Sequence, residues 1–87
     1  MVQDQSSLDQ FIATMEHPRA YLVTLVRRQF GIFPKYKVVS NQTFPQHKRI
    51  RVIVEVFGEP VGEGTGETRV LAARSAARVA IRKFLSY

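Results

Sequence analysis

The run Gly62–Ala80, GEGTGETRVLAARSAARVA, holds the residue types best suited to an anionic ligand. Gly62, Gly64 and Gly66 alternate with Glu63 and Thr65, then lead into an alanine- and arginine-rich segment. Glycine lets backbone come close to a neighbour. A helix that starts directly after such a segment turns unpaired N–H groups and its positive dipole end outward, which suits phosphate. The order extended segment, small-residue turn, basic helix points to a phosphate backbone. No Gly-Lys-Ser/Thr follows, so a nucleotide-binding loop of that kind is excluded. The spacing, and the lack of a βαβ unit around it, exclude a dinucleotide fingerprint. Taken alone, the same glycines also fit a strand that simply ends tightly.

Other reactive residues are few. There is no cysteine, which removes disulfides and thiolate metal sites. The two histidines, His17 and His47, lie in a helix-entry segment and a loop with no catalytic acid pairing evident, and no metal-ligand cluster is present. The expectation is a non-enzymatic chain with no catalytic residue, metal or cofactor.

The 87 residues allow one domain with a small core. Thirteen Lys+Arg against seven Asp+Glu leave a formal charge of +6, which attracts nucleic acid or an anionic membrane surface. No apolar run reaches transmembrane length and no secretory leader is visible. Asp4 and Asp9 argue against a mitochondrial presequence. The candidate helices carry mixed rather than lysine-and-tryptophan faces, so nucleic acid is favoured over membrane.

The elements that must position the glycine-arginine run follow from periodicity. Met1–Ser6 is polar and reads as unstructured. Ser7-Leu8-Asp9-Gln10 reads as a capping box for a short helix, Leu8–Met15, with Leu8, Phe11, Ile12 and Met15 on one face. Pro18 opens a second helix with Leu22, Leu25 and Val26 inward, and Gly31 caps it. Tyr36 to Ser40 alternates as a first strand. Asn41–His47 reads as a loop. Arg49–Phe57 is the clearest strand, with Ile50, Val52, Val54 and Val56 on one face. Gly58-Glu59-Pro60 is expected to turn into a third strand, Val61–Gly66. Glu67 and Thr68 are expected to open a final helix to about Leu85, with Ala72, Ala76, Val79, Ala80 and Phe84 as its apolar face. The fold class is α+β: a three-stranded antiparallel sheet with two helices on one face, in the order α-β-β-β-α, plus a short extra N-terminal helix. Residues 1–16 form an extension and 17–87 the domain.

From His17 to Leu85 the chain resembles the double-stranded RNA-binding domain. Pro18 with Leu22 and Leu25 is similar to the family's first helix, and Pro34-Lys35-Tyr36 to its Pro-x-Tyr entry into the first strand. Lys48-Arg49-Ile50, followed by Val52, Val54 and Val56, is similar to its second strand. Gly62-x-Gly64-x-Gly66, Thr68-Arg69-x-x-Ala72 and Ala76-Ala77 are similar to its third strand and last helix. The resemblance implies a partner, A-form duplex RNA, read by shape, 2′-hydroxyls and phosphates over about 16 base pairs.

It also implies three contact regions. The first is the helix from Pro18, with Thr24 where the family often has an acid or amide. Arg27 and Arg28 one turn later either add charge to it or form a solvated surface. The second is the loop holding Pro45, Gln46, His47 and Lys48; Gln46 sits at the family's histidine position and can donate to a 2′-hydroxyl. The third is the start of the last helix, where the family's Lys-Lys-x-Ala-Lys reads Arg69-Val70-Leu71-Ala72-Ala73. Arg69 is retained as a base, Val70 and Ala73 replace lysines, and Arg74 is an adjacent base. Arg74, Arg78 and Arg82 recur every four residues, as either a solvated face or a second nucleic-acid surface. Ile53, Phe57, Leu71 and Leu85 are expected to leave apolar surface for the N-terminal helix, a protein partner or a homodimer.

Overall fold

The computed structural model describes residues 5–40 and 50–86. The element order is α1 (Gln5–Ala13), α2 (Pro18–Phe30), β1 (Lys35–Ser40), β2 (Ile50–Val56), β3 (Glu59–Gly66) and α3 (Arg69–Leu85). The strands form one antiparallel sheet in the order β1-β2-β3. This is the expected α+β arrangement with its extra N-terminal helix.

Local chemistry sets the ends of α2. Pro18 occupies the first turn, where its missing N–H is not needed. Gly31 adopts φ 72° and donates its N–H to the Arg27 carbonyl at 2.9 Å. That left-handed geometry favours glycine. Leu22 and Val26 are fully buried beneath the helix.

β2 carries the inner face of the sheet. Val52, Val54 and Val56 are 1%, 0% and 6% exposed, and the residues between them face outward. The outer face is held by ion pairs, Lys37 with Glu55 at 3.3 Å and Arg51 with Glu63 at 2.8 Å. The β2–β3 turn is shorter than expected: Phe57 and Gly58 make it alone, at φ 54° and 77°. Two left-handed residues match the twist of a tight hairpin. Glu59 and Pro60 therefore belong to β3 rather than to a turn. Pro60 is tolerated because β3 is an edge strand, and Val61 is the extra residue where the register shifts.

The glycines of β3 exist for α3. A Cβ at Gly62 would stand 2.8 Å from the Ala80 nitrogen, and one at Gly64 would stand 2.6 Å from the Ala72 carbonyl oxygen. One at Gly66 would stand 2.9 Å from the Ala72 nitrogen. The close partner of this backbone is the helix itself, so the tight-packing reading of the glycines accounts for them. Thr68 stays extended and caps α3 from outside, its Oγ1 accepting from the Leu71 N–H at 3.1 Å. The helix thus begins at Arg69, and its first turn holds no acid. Its buried stripe is broader than one sheet-facing row. Ala73, Ala77 and Ile81 are buried along with Ala72, Ala76 and Ala80, whereas Val79 is 47% exposed. α2 and α1 pack on α3 as well as the sheet does, and the added row lies one residue round the helix from the first, which gives α3 a second buried flank.

α1 is one of those helices. It starts at Gln5, so Ser7 lies inside it rather than capping it, and it stops at Ala13, two residues before Met15. Periodicity marks the buried face of a helix, not its ends. Ile12 is 3% exposed, Leu8 and Met15 pack on the core, and Phe11 meets Tyr21 edge-on at 5.9 Å. The surface that receives it lies on α3, one of the two places expected, and not on the outer sheet face that carries Ile53. It is the arginine stripe: Arg74 donates to the Glu16 carbonyl, Arg78 to those of Ile12 and Met15, and Arg82 pairs with Asp9. The stripe thus engages α1, although the Arg82 side chain keeps 41% of its surface exposed and Arg74 lines a groove beside Arg19.

The four residues expected to leave apolar surface fall on β2, the β2–β3 turn and α3. Ile53 is half-buried on the outer sheet face. Phe57 sits on the hairpin turn, against Phe30. Leu71 is 46% exposed on α3, and Leu85 packs on the core.

Candidate nucleic-acid interface

The start of α3 is the best-formed part of the site. Arg69 and Val70 are exposed in its first turn, with Val70 at 51%. The Thr68 hydroxyl and carbonyl take the N–H groups of Leu71 and Ala72. The N–H groups of Arg69 and Val70 precede them, where a helix offers no carbonyl partner. Donors, dipole and the Arg69 guanidinium thus share one turn.

Ala73 is 7% exposed and lies in the wall of a groove, so this position offers no polar group to a ligand. Arg74 turns away from that groove: its Nη2 donates to the Glu16 carbonyl at 3.2 Å, tying α3 to the α1–α2 junction.

On α2, Thr24 is exposed and its Oγ1 donates to the Ala20 carbonyl at 3.3 Å, leaving the oxygen's acceptor capacity outward. Arg27 and Arg28 are exposed in the last turn. The Arg27 guanidinium lies 4.5 Å from the centre of the Phe33 ring, a cation–π contact that holds it at the helix end. Pro45, Gln46, His47 and Lys48 lie outside the described residues.

Two residues that sequence spacing did not assign to contact complete the picture. Arg19 of α2 and Tyr36 of β1 join Arg69, Val70 and Ala73 around a groove of about 210 Å³. Arg19 also borders a second groove, of about 280 Å³, between the starts of α2 and α3. Burial pushes the Tyr36 phenol up from its ordinary range, and the nearby Arg19 charge pulls the other way. One signal for Arg19 was available. A base in the first turn of a helix opposes the dipole, and such a local conflict marks functional positions.

A Double-stranded RNA binding motif family model matches residues 25–84. The chain is also similar to Ribonuclease 3 of Geobacter metallireducens, 33% identical over 60 residues. That match covers 69% of this chain and 24% of the relative, so the chain corresponds to about a quarter of that protein's length. The extent of the family match establishes that the chain belongs to the double-stranded RNA binding motif family.

Proposed function

From that membership, we propose that this chain is a non-catalytic module that binds A-form duplex RNA by shape, 2′-hydroxyl and phosphate contacts, without reading sequence. The observation that carries the reading is the α3 start. There Arg69, the first-turn N–H groups of a helix and its positive dipole end project beside the exposed face of α2. Thr24 on α2 and the loop residues Pro45, Gln46, His47 and Lys48 are assigned to minor-groove contacts, and Arg69 to phosphate. The similarity to a ribonuclease supports a role within RNA processing or modification, as one part of a larger protein.

The test is a binding series with duplex RNA, duplex DNA of the same sequence, and single strands. The expected order is duplex RNA first, with little change between RNA sequences. Equal affinity for the two duplexes would leave only charge at work. Arg69→Ala is expected to weaken all RNA duplexes alike and to lower the salt slope by roughly one.

A second reading, a protein-interaction or homodimerisation module with weak RNA binding, draws on one feature. Phe30, Phe33 and Phe57 are 42%, 63% and 66% exposed, and Phe30 contacts both Phe57 and Phe84. Sedimentation beside the RNA series separates the two: concentration-dependent association with little duplex binding favours the second.

A further inference from the structure

Phenylalanines gather at the end of the molecule opposite the α3 start. Phe30 closes α2, and its ring meets Phe57 of the β2–β3 turn at 5.6 Å and Phe84 of α3 at 6.1 Å. Phe33, just past the helix, lies beneath the Arg27 guanidinium. Arg69 stands at the other end of α3, roughly 22 Å from Phe84 at the rise of an α-helix. Folding alone does not account for this arrangement. Phe57 holds φ 54°, a left-handed conformation that is costly for a bulky side chain and easy for glycine or asparagine. It also keeps most of its surface in water. A residue that strains the backbone and stays exposed calls for a role outside the fold.

The rings indicate the kind of partner. Phe57 stands edge-on to Phe30 at 87°, and Phe84 is tilted to it at 56°. One face of Phe33 is covered by Arg27. Nucleic-acid bases need open ring faces on which to stack. Crossed rings instead leave clefts that suit the apolar side chains of a protein. The charge indicates the sign. Arg27 and Arg28 end α2, Lys83 lies in the last turn of α3, and all three are exposed. Against them stands Glu59 at the start of β3, while Glu55 is paired with Lys37 on the outer sheet face. A second copy of this chain would bring the same excess of cations to the contact, which opposes self-association here.

We infer that Phe30, Phe33 and Phe57 form a docking surface for an acidic amphipathic segment of a partner protein. Its apolar side chains enter between the rings, and its carboxylates meet Arg27, Arg28 and Lys83. The inference deepens the second reading by naming a partner other than a second copy. It requires no loss of RNA binding, because the Arg69 end stays open.

The test titrates the full chain with a short amphipathic peptide carrying leucines on one helical face and glutamates on the other. A counterpart with lysines for glutamates and a single-stranded oligouridylate are the comparisons. The acidic peptide is expected to shift the amide resonances of Phe30, Phe33, Phe57 and Gly58, and to bind more tightly than either comparison. Phe57→Asn should weaken it on the order of tenfold with melting close to the parent's, since asparagine suits the left-handed turn. A merely structural Phe57 would lower melting and leave binding alone. Arg27→Glu should reverse the preference between the two peptides. No shift at these amides up to about 1 mM acidic peptide would overturn the inference, as would equal binding of the two peptides. Tighter binding of oligouridylate at the same amides, or self-association abolished by Phe57→Asn, would overturn it in favour of single-stranded RNA or a second copy. Peptide binding by a chain that takes no duplex RNA would leave this inference standing while the duplex-RNA reading falls.

Discussion

Arg78 reaches across to the far end of α1 and donates through Nη2 to the Met15 carbonyl at 3.0 Å, while its Nε donates to the Ile12 carbonyl at 3.3 Å. Both carbonyls lie at the negative end of the α1 dipole, and that of Ile12 also accepts from the Met15 N–H at 3.3 Å. Arg78 thus acts as a cap supplied from another element. Arg78→Ala is expected to cost about 1–3 kcal/mol, since partly buried carbonyls lose a charged donor. Hydrogen exchange at Phe11 and Ile12 should accelerate while that of β2 amides changes little. Unchanged protection of α1 would mean that the apolar contact of Ile12 holds the helix by itself.

The glycines separate into two kinds. Gly64→Ala is expected to cost about 3 kcal/mol or more, because its Cβ would meet the Ala72 carbonyl oxygen and the Ser75 Cβ, both at 2.6 Å. Gly58→Ala meets nothing within 4 Å and carries only the strain of φ 77°, about 1–2 kcal/mol. Melting temperatures of the two variants check the order; a reversed order would remove the tight β3–α3 contact.

Val54 is fully buried at the centre of β2. Val54→Asp should leave no cooperative melt, because an unpaired buried carboxylate costs several kcal/mol against a total of about 5–15 kcal/mol. A transition close to that of the parent would contradict this placement of the core.

Tyr36 predicts an alkaline limit. Its phenol is pushed above the ordinary value of 10.0, chiefly by burial, with Arg19 acting in the opposite sense. The folded state therefore holds the proton after the unfolded state has released it. The stabilisation is complete below the unfolded value and is lost as pH rises through the folded one. Denaturant melts of the parent and Tyr36→Phe between pH 8 and roughly 11 should run parallel at first, then diverge as the parent loses stability faster. Parallel curves throughout would show that the phenol is not buried.

Legibility in the sequence followed the range of the interactions. The α2 ends were readable because Pro18 and Gly31 act through their own backbone. The valines of β2 were readable because a strand sorts its side chains by alternation. The β2–β3 turn was misplaced because Phe57 takes a left-handed conformation usually left to glycine or asparagine, and nothing local announces it. Arg74, Arg78 and Arg82 looked like an open surface because a helix wheel shows spacing, not neighbours. Their partners lie on a segment 58–66 residues away for Arg74 and Arg78. At the site, Arg69 was found by motif. Arg19 and Tyr36 required knowledge of which elements meet at the groove, which is a property of the assembled layers.

α3 supplies the wall for the sheet, for α2 and for α1, and it is the last of these elements in chain order. During synthesis the apolar faces of β2, α2 and α1 all precede the surface that covers them. The strands leave the ribosome carrying Val52, Val54 and Val56 with nothing to bury against, and α1 has no arginines to hold its carbonyls. The valine row is therefore fully covered only once α3, to about Leu85, is in place. A nascent chain stalled inside α3 would expose the whole valine row, making translation pauses in this stretch a point of risk for aggregation and a natural place for chaperone engagement.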